Sequence, residues 1–335
     1  MQPVIYGMAG TSLSADERDF FRDSDPAGYI LFRRNCEDKE QLRALTDDLR
    51  SIHGRGDVPI LMDQEGGRVV RMGPPAWPEF PCAGKFAELY RRAPASAIEA
   101  ARANAQAIAL IMKESGVNVN CLPLLDVRQE GADDIIGDRA LGREPMQVAA
   151  LGRAVLEGMA AAGVVGVIKH IPGHGRATAD SHKEMPVVDA AEDALEIDLE
   201  PFISLRHAPM GMTSHIVYTA WDDERPASLS PVVIEAIIRG RIGFDGLLMS
   251  DDICMHALSG SFAERARGVT EAGCDLALHC SGDMAEMVSA SSGLGEMSGR
   301  TRERLERAMA SVAAADNGAS YEALAARRDS LLAYA

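Results

Sequence analysis

The sequence repeats one pattern along most of its length: short runs rich in Val, Ile and Leu alternate with longer amphipathic segments. This alternation is typical of a parallel sheet covered by helices. The apolar runs number eight, at residues 4–8, 29–32, 58–62, 117–125, 164–168, 211–217, 247–249 and 275–278. Helices are predicted between them at 38–52, 96–114, 146–161, 191–206, 231–239 and 262–272. Eight strands alternating with helices predict an α/β fold, a (β/α)8 barrel of the TIM type.

The length of the chain, 335 residues, fits either two ordinary domains or one large barrel. Only about 55 residues follow the eighth run, too few for a second domain of typical size. We therefore expect a single barrel domain over residues 1–335, with terminal helices from about 283 to 333.

Amino-acid composition limits the kinds of molecule that the protein is expected to bind. Hydrophobic residues make up 47% and charged residues 25%, as in a globular protein, and the formal net charge of −16 disfavours nucleic acid and anionic membranes. The six cysteines include no C-x-x-C pair and are expected to be reduced. No secretory signal and no apolar run long enough for a membrane helix are apparent, so a cytoplasmic location is expected.

Polar residues follow six of the eight runs, at the carboxyl end of each predicted strand. In a barrel these ends meet on one face, which carries the active site. A helix cap would explain any single Asp and a buried histidine any single His, but the whole set favours a shared polar site. The residues are Asp63, Asp126, Lys169 with His170, His215, Asp251 with Asp252, and His279.

The segment 169–182 leaves the fifth strand as a loop. His170 and His174 are four apart, but proline and glycine between them make a helical metal-binding pair improbable and favour a mobile lid. Asp180 and His182 are two apart, which on extended backbone places both side chains on one side. They could form an acid/base dyad, although spacing alone favours a solvated turn beside a histidine.

Two further segments carry charge near strand ends. Asp251 and Asp252 are neighbours, so alternation sends only one carboxylate towards the site, as a nucleophile, a metal ligand or a partner for a cation such as Lys169. The segment 63–71 mixes both signs around two glycines, which suits a polyhydroxylated ligand or, alternatively, a surface ion-pair cluster. Walker, dinucleotide-binding, zinc-protease and serine-hydrolase motifs are absent from the sequence.

Four segments together resemble glycoside hydrolase family 3, and within it the single-domain β-N-acetylglucosaminidases of the NagZ type. They read KHIPGHG at 169–175, DSH at 180–182, SDDICM at 250–255 and DQEGGR at 63–68, and the similarity extends over about 28–280. The resemblance implies a retaining exo-β-N-acetylglucosaminidase (β-N-acetylhexosaminidase). Its substrate would be a small carbohydrate, terminal β-linked N-acetylglucosamine on muropeptides, removed during peptidoglycan recycling.

The resemblance also implies roles for individual residues. Asp251 would be the nucleophile, and His182, oriented by Asp180, would be the acid and base. The sugar would be held by Asp63, Arg71, Arg139, Lys169 and His170. No metal or other cofactor is implied. The chain departs from the family pattern at Ile171, where Phe is usual, and at Ile253 and Cys254, where Leu and Ser are common.

Two alternatives from other classes stay open. A metal-dependent barrel hydrolase would use His170, His215, His279 and Asp251 as ligands at strand ends. A non-catalytic barrel would bind the sugar without cleaving it. The sequence does not determine the oligomeric state.

Overall fold

The computed structural model describes residues 1–179, 181, 184–312 and 318–334. The strands are β1 (Gln2–Tyr6), β2 (Pro26–Leu31), β3 (Ile60–Met62), β4 (Val119–Asn120), β5 (Val165–Ile171), β6 (Val187–Val188), β7 (Met210–Thr213), β8 (Val217–Tyr218), β9 (Leu247–Asp252) and β10 (Leu276–His279). All except β6 and β8 form a closed barrel in which every neighbouring pair is parallel. The predicted single-domain (β/α)8 barrel is confirmed.

Helices cover the outside of the barrel. They are α1 (Ala15–Ser24), α2 (Lys39–Ser51), α3 (Ala83–Tyr90), α4 (Pro94–Glu114), α5 (Pro145–Ala161), α6 (Glu192–Ser204), α7 (Phe262–Ala272), α8 (Met284–Ser292), α9 (Gly299–Ala310) and α10 (Tyr321–Leu332). Short 3-10 turns lie at Arg33–Asn35, Gly137–Arg139 and Ala227–Leu229, and a π-helix spans Val233–Arg241. In the described residues, no helix is both long enough and apolar enough to cross a membrane.

Three predicted strands are shorter than their apolar runs, and two of them differ markedly. The run 117–125 contributes only β4, because Pro123 has no N–H to donate to a ladder and the chain turns there. The run 211–217 divides, so that its first part lies in β7 while Val217 begins β8, which pairs with β6 outside the barrel. Apolar character alone did not distinguish these segments from longer barrel strands.

Alternate side chains along each strand enter two different cores. In β1, Ile5 packs inside the barrel, whereas Val4 and Tyr6 pack between the barrel and its helices. The same alternation holds in β5, where Val165 and Val167 face inward. Successive side chains of a strand point to opposite faces, so every second residue of a barrel strand points towards the barrel axis. These residues form the inward row of that strand.

Candidate active site

The inward rows of three strands change from apolar to charged at their carboxyl ends. Leu61 is followed two residues later by Asp63, Val167 by Lys169, and Met249 by Asp251. A spacing of two keeps each charged side chain on the inward face of its strand. The buried core of the barrel therefore ends in a charged layer on the face where barrel enzymes carry their active sites.

This charged layer forms the floor of a cavity of about 270 Å³. The volume is near the small end of the range for ligand pockets, as expected for a site that takes one sugar-sized group. Its polar lining consists of Asp63, Arg68, Arg71, Arg139, Lys169, His170, His174, Ser181, Asp251 and Asp252. Apolar side chains, among them Phe32 and Met212, complete the wall.

Lys169 is the centre of an ion-pair network on this floor. Its side chain is 2% exposed, and its Nζ lies 2.9 Å from Oδ1 of Asp63 and 2.7 Å from Oε1 of Glu65. Arg139 closes the network by donating from Nε and Nη2 to the two oxygens of Glu65, both at 2.9 Å. Arg71 donates from Nη2 to Oδ2 of Asp63 at 3.2 Å. The buried carboxylate of Glu65 and the partly buried carboxylate of Asp63 thus share three cations in fixed geometry.

The network keeps both carboxylates ionised. Burial by itself raises the pKa of Asp63, but the charges of Lys169 and Arg71 outweigh burial and hold it well below its usual range. Lys169 and Arg139 lower the pKa of Glu65 against the same effect of burial. The two carboxylates also raise the pKa of Lys169 despite its burial. These groups therefore hold fixed charges at neutral pH and are suited to binding rather than to proton transfer.

His170 is held by Asp126, the polar residue that follows β4. The His170 Nδ1 lies 2.8 Å from Oδ2 of Asp126, whose other oxygen accepts from the backbone N–H groups of His170 and His174. Burial raises the pKa of Asp126, but the nearby His170 outweighs it and the pKa is lowered. Asp126 thus fixes the ring, and within the part of the chain that the structure describes, Nε2 stays available to a ligand.

His174 follows on the same loop and also lines the cavity. It is 3% exposed, and its Nδ1 has no hydrogen-bond partner among the described residues. Burial, together with the neighbouring His170, lowers its pKa, so the imidazole is neutral at pH 7.

The loop after β5 is packed rather than free over residues 171–177. Backbone oxygens of Gly173, Gly175 and Ala177 accept hydrogen bonds from Tyr218 Oη, Gln129 N and Asp133 N, at 2.8, 2.9 and 2.9 Å. A Cβ on Gly175 would overlap the carbonyl of residue 127. The glycine at 175 therefore permits close packing of this part of the loop. The sequence-based expectation of a mobile lid does not describe residues 171–177.

The two acidic residues that end β9 have different surroundings. Asp251 is 7% exposed and lies at the end of the inward row, with its Oδ1 accepting from the N–H of Asp252 at 2.9 Å. Asp252 accepts instead from the N–H groups of Cys254 and Cys280. Burial, with a contribution from Asp251, raises the pKa of Asp252. Both residues line the cavity, but only Asp251 continues the inward row of β9, while Asp252 accepts hydrogen bonds from two different loops.

Asp180 and His182 lie outside the described residues. Ser181, between them in sequence, is described: it is 3% exposed, lines the cavity, and accepts the N–H of Ala257 at 3.3 Å.

The strand-end histidines do not converge with Asp251 on a common point in the described structure. His170 is paired with Asp126, and His215 is bonded through Nδ1 to Ser228 at 2.6 Å and through Nε2 to the carbonyl of Asp252 at 3.0 Å. The metal-dependent alternative needs all of these histidines as ligands, and His215, whose two ring nitrogens both have hydrogen-bond partners, does not fit that role.

Sequence reasoning did not assign roles to Glu65 and His174, and it named Arg68 only within a charged segment. Glu65 is the second partner of Lys169, and Arg68 donates to the carbonyl groups of residues 134 and 135 beside the cavity. The signal for Glu65 was its position two residues beyond Asp63. No local signal placed His174 in the cavity wall, because its position depends on the path of the loop.

Comparisons with known proteins agree on one family. The profile of the glycosyl hydrolase family 3 N terminal domain matches residues 6–314. A β-hexosaminidase of Alkalilimnicola ehrlichii is 40% identical over 283 residues, which are 83% of this chain and 80% of that protein. Native NagZ from Neisseria gonorrhoeae superimposes with a TM-score of 0.87 at 30% identity, covering 98% of this chain and 97% of that one. The same protein in complex with N-trifluoroacetyl-D-glucosamine gives a TM-score of 0.85 at 30% identity, covering 99% and 96%.

Proposed function

The chain belongs to glycosyl hydrolase family 3 and is a β-N-acetylhexosaminidase, and from that premise we propose that it is a retaining exo-enzyme with a covalent glycosyl-Asp251 intermediate. It removes terminal β-linked N-acetylglucosamine from the non-reducing end of its substrate. The observation that carries the proposal is the place of Asp251, at the inward end of β9 and on the cavity wall.

In the first step, an oxygen of Asp251 attacks the anomeric carbon while the bond from that carbon to the leaving oxygen breaks. The leaving oxygen takes a proton from His182, as the family resemblance implies. In the second step, water attacks the anomeric carbon, gives its proton to His182 and releases Asp251 as a carboxylate. Two displacements on one carbon retain its configuration.

Asp180 would orient His182 and stabilise its protonated form, and histidine suits both half-reactions because its ordinary pKa is near neutral. Ser181 supports this assignment. It stands between Asp180 and His182 in the sequence, and it lines the cavity.

The sugar would be held by Asp63, Arg71, Arg139, Lys169 and His170. The Nε2 of His170 can form a hydrogen bond with a sugar hydroxyl, because Asp126 holds the other nitrogen. Arg71 Nε is buried and has no partner in the described structure, so a ligand oxygen can satisfy it. Lys169 and Arg139 act in part by holding Glu65. The N-acyl glucosamine bound to the Neisseria gonorrhoeae protein supports a ligand of this kind here.

We extend the proposal to muropeptides as substrates and to peptidoglycan recycling as the process. Both come from the resemblance to the NagZ type. A cytoplasmic location stays a prediction from the sequence.

Trapping of the intermediate tests the proposal directly. A 5-fluoro N-acetylglucosaminide should leave a sugar adduct on the peptide that contains Asp251, detected by mass mapping. Asp251→Ala and His182→Ala should each abolish turnover of an aryl N-acetylglucosaminide. The matched controls are Asp223→Ala and His207→Ala, both at exposed positions away from the cavity, and these should retain it. Turnover by Asp251→Ala, or release of the opposite anomer, would contradict the mechanism.

A further inference from the structure

A cluster of side chains of metal-ligating type lies beside the catalytic face and outside the cavity lining. It comprises Cys254 in the loop after β9, His279 at the end of β10, and Glu286 in the first turn of α8. One ligand atom from each residue lies within 4.8 Å of the other two, and His279 Nε2 is 3.8 Å from Glu286 Oε2.

His279 provides independent evidence for a ligand. Its side chain is completely buried, yet neither ring nitrogen has a hydrogen-bond partner among the described residues. Buried polar groups without a partner are rare and need an explanation such as a missing ion. Edge contacts with the rings of Tyr6 and Phe262, at centroid distances of 5.8 and 5.3 Å, hold the imidazole in place.

We propose that Cys254, His279 and Glu286 form a zinc site that joins the loop after β9 to β10 and α8. Sulfur, imidazole nitrogen and carboxylate oxygen are the ligand types of protein zinc, with water in the fourth position. Tetrahedral bonds of 2.0 to 2.3 Å place ligand atoms roughly 3.3 to 3.8 Å apart, so the side chains need to close by about 1 Å.

The charges of the cluster fit a divalent cation. A thiolate and a carboxylate together neutralise Zn²⁺, and the carboxylate of Asp252 lies close to the thiol. Two guanidinium groups lie nearby, and both are directed to backbone carbonyl groups: Arg34 to Met8, at 2.9 Å, and Cys280, and Arg265 to Ile253, at 2.8 Å, and Met255. Glu286 is 35% exposed, which leaves a route from solvent.

Binding would exchange a proton for the metal. A cysteine that binds no metal carries a protonated thiol at neutral pH, because its ordinary pKa is about 8.5. Zinc forms a bond to sulfur as the S–H proton passes to solvent, so one proton is released for each zinc bound.

The site is distinct from the catalytic assignment, because none of its three ligands acts on the sugar in the proposed mechanism. It would act as a clamp. Cys254 is three residues from Asp251, and its backbone N–H already binds Asp252. Zinc would restrict the loop that carries the proposed nucleophile without entering the cavity.

Cobalt substitution is the decisive experiment. Metal-free protein titrated with Co²⁺ should bind one equivalent and develop a thiolate-to-cobalt charge-transfer band. Cys254→Ser should lose the band, whereas Cys82→Ser, which removes another half-buried free thiol, should keep it. Excess zinc at a hundredfold over its Kd should raise the Tm of wild type and Cys82→Ser by about 5 °C, and should not raise that of Cys254→Ser.

His279→Gln should also lose the band, and Cys254→Ser decides the matter if the His279 variant does not fold. A cobalt complex without a thiolate band, a band unchanged in Cys254→Ser, or no binding at all would overturn the proposal. Loss of glycosidase activity in Asp251→Ala has no bearing on these readings, so the two proposals fail separately.

Discussion

Replacing Lys169 with methionine tests whether the ion-pair network stabilises the fold as well as the site. Met preserves most of the length of the side chain and removes its charge. In the structure, this takes away the contacts of Nζ to Asp63 at 2.9 Å and to Glu65 at 2.7 Å. The side chain of Glu65 is 5% exposed and that of Asp63 is 16% exposed, so water replaces the lost contacts poorly, above all at Glu65.

The expected cost follows from these two contacts. The charge-assisted hydrogen bond to Asp63 contributes roughly 1.5 to 3 kcal/mol, and breaking a buried ion pair such as that with Glu65 costs about 3 to 5 kcal/mol before compensation. Arg71 still binds Asp63, and Arg139 still binds Glu65 through two hydrogen bonds. We therefore expect Lys169→Met to lower the free energy of unfolding by about 3 kcal/mol at pH 7, the low end for a broken buried ion pair.

The cost should also depend on pH with a definite sign. The pKa values of Asp63 and Glu65 are lowered in the folded state. A carboxylate with a lowered pKa stabilises the fold above its ordinary pKa and loses that contribution as pH falls towards the folded value. The difference between wild type and Lys169→Met should therefore be largest at neutral pH and should shrink below about pH 4.

Denaturant unfolding of both proteins across this pH range is the assay. Lys39→Met is a matched control, because Lys39 is exposed and pairs with the exposed Glu114 at 3.7 Å. That control should change stability by no more than about 0.5 kcal/mol. A cost below about 1 kcal/mol for Lys169→Met at pH 7, or one that grows as the pH falls, would refute the reasoning.

Three further changes test other parts of the structure. Asp126→Asn should lower kcat/KM roughly 10- to 100-fold, since His170 loses a charge-assisted hydrogen bond, while an unchanged pH profile and rate would contradict its positioning role. Gly175→Ala should lower stability by roughly 1 to 3 kcal/mol because a Cβ there overlaps a carbonyl group, whereas Gly10→Ala, with nothing within 4 Å, should have little effect in the same unfolding assay. Burial lowers the pKa of His279 to about 4 in the folded protein. The free energy of unfolding should therefore fall as the pH is lowered from about 6.5 to 4, because the unfolded chain takes up the proton first. His279→Gln should flatten that part of the curve of Tm against pH, and an equally steep curve would show that another group is responsible.

The barrel was predictable because its determinants are local and repeated. Each apolar run is long enough for one buried strand, and each predicted helix, such as 262–272, has its own periodicity and end signals. The helices α1 and α3 were not predicted, since α1 is rich in charged residues and α3 is short. The position of polar residues at the ends of strands also predicted the face that carries the site, because parallel strands share one direction.

The sequence by itself thus determined the fold class, the face of the barrel and the residue types available there. The tertiary structure decided which of them meet: Lys169 with Asp63, 106 positions away, and His170 with Asp126, 44 positions away. It also gave the neighbouring carboxylates of Asp251 and Asp252 different hydrogen-bond partners, and it brought Cys254, His279 and Glu286 together. The physical reason is closure of the sheet. Neighbouring strands meet in a register set by packing along the whole barrel, so a contact between two strand ends depends on every strand between them and on no local pattern.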